Sequence, residues 1–279
     1  MNKSVAIIIA VFNRKEKTLS SLRYLYAQNI YSNIVRDIFI TDGGSTDGTV
    51  EMVRNEFPDV DIKVEKGLFW NRGMYKSWER ASTKGGYDYY LWLNDDVTLY
   101  DDCIQNLIIA SEENDDKAII VGATVDAVTK QKLTYGGRIE GKGIPPVNGK
   151  LIKVDHFNGN IVLVPSFVFE KLGNLDYYYT HSKGDFDYGI RAKKACIDVY
   201  QCGKALGECD EHPRIDKWCD PEIPLSQRLK MLYRPNGMPP HETFHLERQT
   251  NLIKAIFHYI TVHIRCIFPQ IWTKFKRRR

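Results

Sequence analysis

Runs of apolar residues alternate with segments of helical periodicity through the first half of the chain, and this alternation constrains the fold most. Residues 5–11 form an unbroken Val, Ile and Ala run, and residues 15–28 then repeat leucine at helical spacing. Such a run predicts a parallel strand that is covered on both faces. The same rhythm predicts further strands at 38–41, 61–65, 87–93 and 118–123. We therefore expect βαβ units and a mostly parallel sheet flanked by helices, which is a Rossmann-like α/β architecture.

Positive charge is concentrated at the C-terminal end. The net charge is +4, but residues 250–279 hold seven basic residues and no acidic one. The rest of the chain is therefore net acidic, which argues against a nucleic-acid-binding protein. The longest stretch without Lys or Arg in this segment, 255–264, falls short of the ~20 apolar residues of a membrane span. An amphipathic basic helix on a membrane surface is predicted, and a helix docked on the domain is the alternative.

Acidic turns follow two of the predicted strands, at the sheet edge where ligands bind to parallel sheets. Asp42 opens a Gly-rich turn after the second strand, and Asp95 and Asp96 follow the fourth. Asp42 is expected to accept hydrogen bonds from a bound base or ribose. Two adjacent carboxylates favour a cation such as Mg²⁺ or Mn²⁺ bridging to a diphosphate, and a solvated turn is the alternative for this pair.

A third acidic cluster opens a later predicted helix at Asp185 and Asp187. Helix capping explains one of these carboxylates. The other, if it lies in a cleft, could act as a general base on a hydroxyl group.

The pattern H-E-x-x-H occurs once, at residues 241–245. On a helix it would place His241 and His245 on one face for zinc, with Glu242 as the base of a metalloprotease. Pro239 and Pro240 leave the histidines at a helix start or in a loop, which argues against that interpretation.

Taken in order, these segments resemble family 2 glycosyltransferases, which are nucleotide-sugar-dependent enzymes of the GT-A fold, over roughly residues 5–207. Residues 40–49 resemble the family's V-D-D-G-S-T-D-G-T segment, and 93–97 stand at its D-x-D position. Residues 184–191 resemble its E-D-x-D-x-x-x-R helix, and 67–74 resemble a Gly-rich loop of rhamnosyltransferase-like members. Three residues depart from the family pattern, since they replace acids: Gly43, Asn94 and Gly184.

The resemblance implies a role for each matching residue. Donor contacts are implied for Val11, Asn13, Asp42, Asn71, Arg72, Asn94 and Asp95. Acceptor contacts are implied for Asn158, Asn160 and Asp187, and Asp185 falls on the catalytic base. Metal ligation is implied for Asp96 with Asp95, and the candidates for a third ligand are His212, His241 and His245, of which His212 is our choice.

The activity implied is an inverting, Mn²⁺- or Mg²⁺-dependent transfer of one hexosyl or deoxyhexosyl group from a nucleotide-sugar donor to a glycan or lipid-linked acceptor. The resemblance also implies a role in cell-surface polysaccharide synthesis. Transfer is expected to be non-processive, because the Q-x-x-R-W motif of the processive synthases is absent. A sugar nucleotidyltransferase is the first alternative, although the Gly-rich phosphate loop expected of it after strand one is missing. The zinc metalloprotease is the second.

The predicted organisation is a GT-A domain over 1–249 followed by an amphipathic basic tail over 250–279. The domain divides into a nucleotide-binding half, 1–123, and an acceptor-side half, 124–249. The expected location is cytoplasmic, peripheral on the inner face of the plasma membrane.

Overall fold

A computed structural model of the chain describes residues 3–29, 34–210 and 217–270. Within these residues the strands are β1 (Lys3–Val11), β2 (Ile34–Asp42), β3 (Asp61–Val64), β4 (Tyr89–Leu93), β5 (Thr98–Leu99), β6 (Ile119–Val125), β7 (Leu133–Tyr135), β8 (Gly137–Arg138), β9 (Ile152–Lys153), β10 (His156–Phe157), β11 (Ile161–Pro165) and β12 (Val199–Glu208). The α-helices are α1 (Lys15–Tyr26), α2 (Thr49–Glu56), α3 (Trp70–Lys84), α4 (Cys103–Glu112), α5 (Ser166–Leu172), α6 (Gly184–Lys194), α7 (Leu225–Leu232), α8 (Pro240–Glu247) and α9 (Leu252–Ile267).

The main sheet has the strand order β3-β2-β1-β4-β11-β6-β12-β5, with β7 paired to β6 and β9 paired to β12. Strands β3, β2, β1 and β4 run parallel to one another, as does β12 with β6. Strand β11 lies antiparallel between β4 and β6. The predicted α/β class with a mostly parallel sheet is confirmed.

Apolar side chains cover both faces of this sheet, as expected for parallel strands. One core cluster contains Ile7 and Leu91 under α1, α2 and α4, and the other contains Ile8, Trp92 and Trp78 under α3 and α6. Because successive residues of a strand point to opposite faces, the run at residues 5–11 supplies both cores. These two cores hold the carboxyl ends of β1, β2 and β4 in fixed positions.

The chain divides into two compact units. The first unit comprises residues 1–177 and 184–211, and the second comprises 178–183 and 212–279. Helix α9, which falls in the predicted tail 250–279, belongs to the second unit together with α7 and α8. Its Cys266 is buried with Trp218 and Leu232 in a small apolar core. The boundary predicted at residue 249 stays a prediction.

The sequence located several elements closely and missed others. The predicted strand at 61–65 matches β3 to within one residue, and the apolar run at 5–11 lies within β1. The region from residue 203 to residue 247, in which the apolar pattern predicts no strand, contains the end of β12 together with α7 and α8. Strand β12 is hard to detect because its pairing to β6 carries register shifts, which break the alternation of buried and exposed residues.

Candidate active site

The carboxyl ends of three adjacent parallel strands form the edge at which most of the predicted site residues lie. Val11 at the end of β1 is in register with Asp42 at the end of β2. Asp95 and Asp96 follow β4, which lies on the other side of β1. In open parallel sheets ligands bind at this edge, so the topology brings these acids together where the sequence predicted a site.

The turn after β2 is organised by the Asp42 side chain. Asp42 is fully buried, and its Oδ1 accepts hydrogen bonds from the backbone N–H groups of Gly44 at 2.8 Å and Ser45 at 2.7 Å. Its Oδ2 is buried and has no hydrogen-bond partner among the described residues. An acceptor atom without a donor is costly in a protein interior, and a donor group on a ligand would satisfy it.

Asn13 connects the loop after β1 to the same turn. Its Oδ1 accepts a hydrogen bond from Thr46 N at 2.8 Å, and its own N–H donates to Ser45 Oγ at 2.7 Å. Its φ angle of 50° is in the left-handed region, which Asn tolerates better than most residues. Asp47 accepts hydrogen bonds from Lys15 N at 3.0 Å and Thr49 N at 3.1 Å, so it fixes the starts of both α1 and α2. These bonds fix the turn but leave donor binding by Asn13 a prediction.

Asp95 and Asp96 form a carboxylate pair that shares one guanidinium group. Arg14 Nη1 lies 3.2 Å from Asp95 Oδ1 and 2.8 Å from Asp96 Oδ2. The carboxylates are nearly inaccessible to solvent, whereas the Arg14 side chain is 42% exposed. Burial raises the pKa of Asp95 to about 6, with Arg14 acting in the opposite direction. The pair is therefore a buried negative site whose counter-charge comes from the surface.

An open cavity of about 250 Å³ adjoins Asp96 between the start of α1 and the end of β12. Cys209 lines it, and Cys209 Sγ lies 3.9 Å from Asp96 Oδ1 and 3.7 Å from Asn160 Nδ2. Burial raises the pKa of the Cys209 thiol to about 12, so the group is a neutral thiol near neutral pH. Through Cys209, the predicted metal ligand Asp96 and the predicted acceptor contact Asn160 lie in one contact network.

Asp185, in the first turn of α6, is held against the loop before β11. Its Oδ2 accepts a hydrogen bond from Gly159 N at 3.1 Å, and its Oδ1 accepts one from Phe186 N at 2.9 Å. In the same loop, Asn160 O accepts a hydrogen bond from Asn94 N at 3.0 Å. The segment 158–160 thus connects the predicted base to the turn that carries Asp95 and Asp96, although the two clusters lie far apart in sequence.

Trp70 is a residue of this site that the sequence analysis did not select. Its Nε1 donates to Asn94 Oδ1 at 2.7 Å, and its ring lies so close to Gly159 that a Cβ there would be 2.7 Å from Trp70 Cη2. The same Cβ would lie 3.5 Å from Asp185 Cβ. Trp70 therefore bonds to the turn that carries Asp95 and Asp96 and packs against Gly159, whose N–H group donates to Asp185. The sequence did carry a signal for it, because a large aromatic residue is unusual in a Gly-rich segment such as 67–74.

Asn71 and Arg72, which were predicted to contact the donor, donate hydrogen bonds to the backbone of residues 176 and 177. Asn71 is fully buried and its Nδ2 donates to Asp176 O at 2.8 Å. Arg72 Nε donates to Tyr177 O at 3.1 Å, and the guanidinium lies over the Tyr177 ring. The structure shows these contacts for the two side chains, and donor binding by them stays a prediction.

The packing around Gly184 explains why glycine replaces the acid of the family pattern at this position. A Cβ on Gly184 would lie only 1.6 Å from Asn71 Oδ1. The glutamate expected at this position would therefore collide with a buried amide, so the Gly-Asp sequence at the start of α6 follows from the placement of Asn71.

Asp187 and Asn158, both predicted acceptor contacts, are engaged with basic residues. Asp187 is 1% exposed, and its Oδ2 pairs with Arg191 Nε at 2.8 Å. Arg191 in turn donates to Leu172 O at 2.6 Å. Asn158 Oδ1 accepts a hydrogen bond from Arg138 Nε at 2.9 Å. The Asp187–Arg191 pair ties α6 to the end of α5, and acceptor binding by Asp187 and Asn158 stays a prediction.

The histidines offered as a third metal ligand gain no support from the described residues. His212 lies outside them. Within residues 3–29, 34–210 and 217–270, no group of three His, Cys, Asp or Glu side chains is placed to hold a metal ion.

The base of the zinc-protease alternative is held in a structural contact. Glu242 of α8 is fully buried, and its Oε1 accepts hydrogen bonds from Thr180 N at 3.0 Å and Thr180 Oγ1 at 2.7 Å. The histidines do lie on a helix, which begins at Pro240 because proline is compatible with the first helical position.

Sequence comparison identifies the family. The model described as Glycosyl transferase family 2 matches residues 6–173, which include the turns with Asp42, Asp95 and Asp96 and the segment 158–160. Asp185 and Asp187 lie beyond the matched residues. No curated protein shows significant sequence similarity to the chain.

Structural comparison identifies the fold. The crystal structure of S. aureus TarS matches with a TM-score of 0.54 and 13% identity, covering 90% of this chain and 43% of that one. TarS 1–349 in complex with UDP matches with a TM-score of 0.54 and 14% identity, covering 90% of this chain and 71% of that one. The chain thus spans less than half of the longer TarS structure. At this identity the likeness shows the fold alone, and it confirms the predicted GT-A fold.

Proposed function

We propose that this chain, which belongs to glycosyl transferase family 2, moves one sugar from a nucleotide-sugar donor to a hydroxyl group of a glycan or lipid-linked acceptor. The observation that supports this most is the contact network that links Asp185 to the turn bearing Asp95 and Asp96 through the segment 158–160. Sugar transfer needs a cation at the leaving diphosphate and a base at the acceptor hydroxyl. Asp95 and Asp96 are the candidates to hold the cation, and Asp185 is the candidate base.

The donor base is proposed to lie at Asp42. The unpaired, buried Oδ2 would accept a hydrogen bond from a donor group of the base. TarS was crystallised with UDP, so uridine donors are the first to test. A hexosyl or deoxyhexosyl group is proposed as the transferred sugar.

The carboxylate pair fits a hard divalent cation. Carboxylate oxygens suit Mg²⁺ or Mn²⁺, and Mg²⁺ commonly takes one or two protein carboxylates with its other ligands from substrate phosphates and water. Asp96 and Asp95 would hold the ion, which when bound would neutralise charge on the leaving diphosphate. The pair already attracts a cationic group, because the Arg14 guanidinium contacts both carboxylates.

Asp185 is proposed as the general base. Its carboxylate is oriented by two backbone N–H donors, which fixes a proton acceptor beside the acceptor-side segment. It takes the proton of the acceptor hydroxyl while that oxygen bonds to the anomeric carbon. The bond from this carbon to the diphosphate oxygen breaks on the opposite face, so a single displacement inverts the configuration.

The second unit is proposed to bring the enzyme to the inner face of the plasma membrane, in support of cell-surface polysaccharide synthesis. Among the described residues no helix is both long and apolar enough to cross a bilayer. Helix α9 instead exposes one apolar face, whose residues are 47% to 81% exposed: Ile253, Ile256, Phe257, Ile260 and Ile264. Lys254 lies beside this face, and the Arg265 guanidinium lies over the Trp218 ring. An exposed apolar face on a helix that also carries basic residues fits a helix lying in the interface of an anionic membrane.

Nucleotide binding tests the donor site directly. UDP, GDP and dTDP are compared by thermal shift in the presence of Mn²⁺, and one of them is expected to raise the melting temperature of the wild type. Asp42→Asn should lose that rise, whereas Asp101→Asn, at an exposed aspartate, should keep it. No stabilisation by any of the three would contradict the proposal.

Product analysis separates the proposal from the alternatives. With a panel of nucleotide sugars and an acceptor, the transferase releases a nucleoside diphosphate. A sugar nucleotidyltransferase would instead release inorganic diphosphate from a nucleoside triphosphate and a sugar 1-phosphate, and a zinc protease would cleave peptides without any nucleotide.

A further inference from the structure

The second unit contains an open cavity of about 590 Å³ that the proposed transfer reaction does not use. The side chains that line it come from α8, α9 and the segment 178–183: Tyr178, His241, Phe244, His245, Arg248 and Tyr259. Among the described residues, this lining consists of aromatic and basic side chains.

Helix α8 and the residue after it present one face to the cavity. His241, Phe244, His245 and Arg248 follow the spacing i, i+3, i+4 and i+7, which places them on a single helical face. Glu242 lies on the opposite, buried face, where it is bonded to Thr180. The H-E-x-x-H pattern therefore contributes its two histidines to the cavity and not its acid.

The aromatic rings give the cavity flat walls. The Tyr178 ring stacks on the His245 ring with centroids 4.1 Å apart and an interplanar angle of 21°. Phe244 and Tyr259 meet edge to face at 5.9 Å on another part of the lining. Such surfaces stack on the apolar faces of sugar rings and other planar or cyclic groups.

The basic side chains of the lining are His241, His245 and Arg248. Arg248 Nη2 lies 3.1 Å from His245 Nδ1. A guanidinium only donates hydrogen bonds, so this nitrogen accepts and the neutral ring carries its proton on Nε2. The acids of the same helix are occupied elsewhere, because Glu247 Oε1 pairs with His258 Nδ1 at 2.6 Å and Glu242 accepts from Thr180. Among the described residues that line the cavity, the basic groups offer N–H donors and none of the side chains is a carboxylate.

We propose that this cavity binds a sugar phosphate, with the phosphate oxygens on Arg248 and the histidine N–H groups and the ring against Tyr178 and Phe244. Guanidinium and imidazole donors match phosphate oxygens in charge and geometry. The inference rests on the proposed function in one respect: a lipid-linked acceptor of the proposed transfer is a compound that carries phosphate beside a sugar. Such a group exists in soluble sugar phosphates and in lipid-linked ones, and both sources share the chemistry recognised here.

Binding of glucose 1-phosphate to the full chain, followed by calorimetry, tests the site. Arg248→Gln should weaken binding about tenfold, because one charge-assisted hydrogen bond is lost. Tyr178→Leu should also weaken it through loss of stacking. Arg234→Gln removes the same charge at an exposed residue outside the lining of the cavity and should leave binding unchanged. Methyl glucoside, which lacks the phosphate, should bind far more weakly.

Vesicles distinguish the two sources. A lipid-linked ligand predicts that Arg248→Gln reduces sedimentation with phosphatidylcholine vesicles containing phosphatidylinositol more than with those containing phosphatidylglycerol, which has equal charge and no ring. A soluble ligand predicts the same small change for both.

Nucleotide binding separates failure of this inference from failure of the proposed function. Unchanged glucose 1-phosphate binding in Arg248→Gln and Tyr178→Leu, or no binding to the wild type, overturns the cavity assignment even if UDP with Mn²⁺ still stabilises the protein. Loss of sugar phosphate binding in these variants supports the cavity even if no nucleotide binds.

Discussion

The guanidinium group of Arg14 lies 2.8 Å from the carboxylate of Asp96, at the position where a cation is expected to neutralise the leaving diphosphate. It also reaches Asp95 at 3.2 Å, so one surface side chain offsets one of the two negative charges of the buried pair. A divalent cation that binds the same carboxylate oxygens would compete with Arg14 for them.

The competition predicts tighter cation binding without this arginine. Arg14→Gln should raise the affinity for Mn²⁺, measured by calorimetry or electron paramagnetic resonance without nucleotide, by about tenfold, because it removes a like charge close to the ion. Lys15→Gln is the matched control, since Lys15 is the next residue and pairs with Glu16 instead. Equal or weaker Mn²⁺ binding in Arg14→Gln would show that Arg14 does not compete with the ion.

The pKa of Asp95 predicts how stability changes with pH. The pKa rises from 3.8 to about 6 on folding. Between these values the folded state binds more protons than the unfolded state, so stability contributed by this group falls as the pH rises from about 4 to about 6. Asp95→Asn should therefore be more stable than the wild type at pH 7 by about 3 kcal/mol, and equally stable at pH 4.

Urea denaturation with EDTA present at both pH values measures this difference. Asp101→Asn, at an exposed aspartate, should show no comparable pH-dependent gain. A wild type as stable as Asp95→Asn at pH 7 would contradict the assigned cause.

Asp185 and Asp187 lie two residues apart on α6, and we expect substitution of the first to affect mainly turnover and substitution of the second to affect mainly stability. Asp185→Asn removes basicity and keeps the size, so turnover should fall about 100-fold or more while nucleotide binding persists. The amide can accept only one of the two backbone hydrogen bonds, so stability should fall by about 1 kcal/mol. Asp187→Asn breaks a buried ion pair with Arg191, so it should cost about 2 kcal/mol or more of stability. Steady-state kinetics and urea denaturation of both variants would distinguish the roles, and near-normal turnover in Asp185→Asn would refute the base.

Helix α6 also offers a test of the packing at its start. Gly184→Ala places a methyl group 1.6 Å from Asn71 Oδ1, so we expect a loss of about 2 kcal/mol from the forced displacement of a buried amide. Gly189→Ala, in the same helix, meets its nearest neighbours at 3.6 Å or more. It should be neutral or stabilising, because alanine favours the helix. Equal stability of the two variants would contradict the predicted collision.

The exposed face of α9 predicts the effect of polar substitutions on membrane binding. Ile256→Ser with Ile260→Ser should reduce sedimentation with anionic vesicles several-fold, because both side chains are exposed and lose apolar area without disturbing the buried Ala255 and Cys266. Deleting the chain after residue 250 is a poorer test, since Cys266 belongs to the core of the second unit. Thr261→Ser is the conservative control on the same helix. Unchanged sedimentation of the double variant would exclude this face as the membrane contact.

Much of the fold was predictable because the relevant signals are local. The apolar run at 5–11, the turn after Asp42 and the leucine spacing in α1 each specify their own structure within a few residues. The antiparallel placement of β11 was not predictable in this way, because its neighbours β4 and β6 are chosen by packing across the sheet. The helices α7 and α8 were missed for a similar reason, since their short, mixed sequences lack a clear period.

The sequence by itself determined that acids stand directly after buried strands and at the start of α6, because strand and helix patterns depend on neighbouring residues. The tertiary structure alone decided which partner each acid meets. Arg14 reaches Asp95 and Asp96, Gly159 reaches Asp185, and Thr180 reaches Glu242, and these contacts join residues 81, 82, 26 and 62 positions apart. Contacts over such separations are set by how the strands and helices pack, and local periodicity carries no information about them.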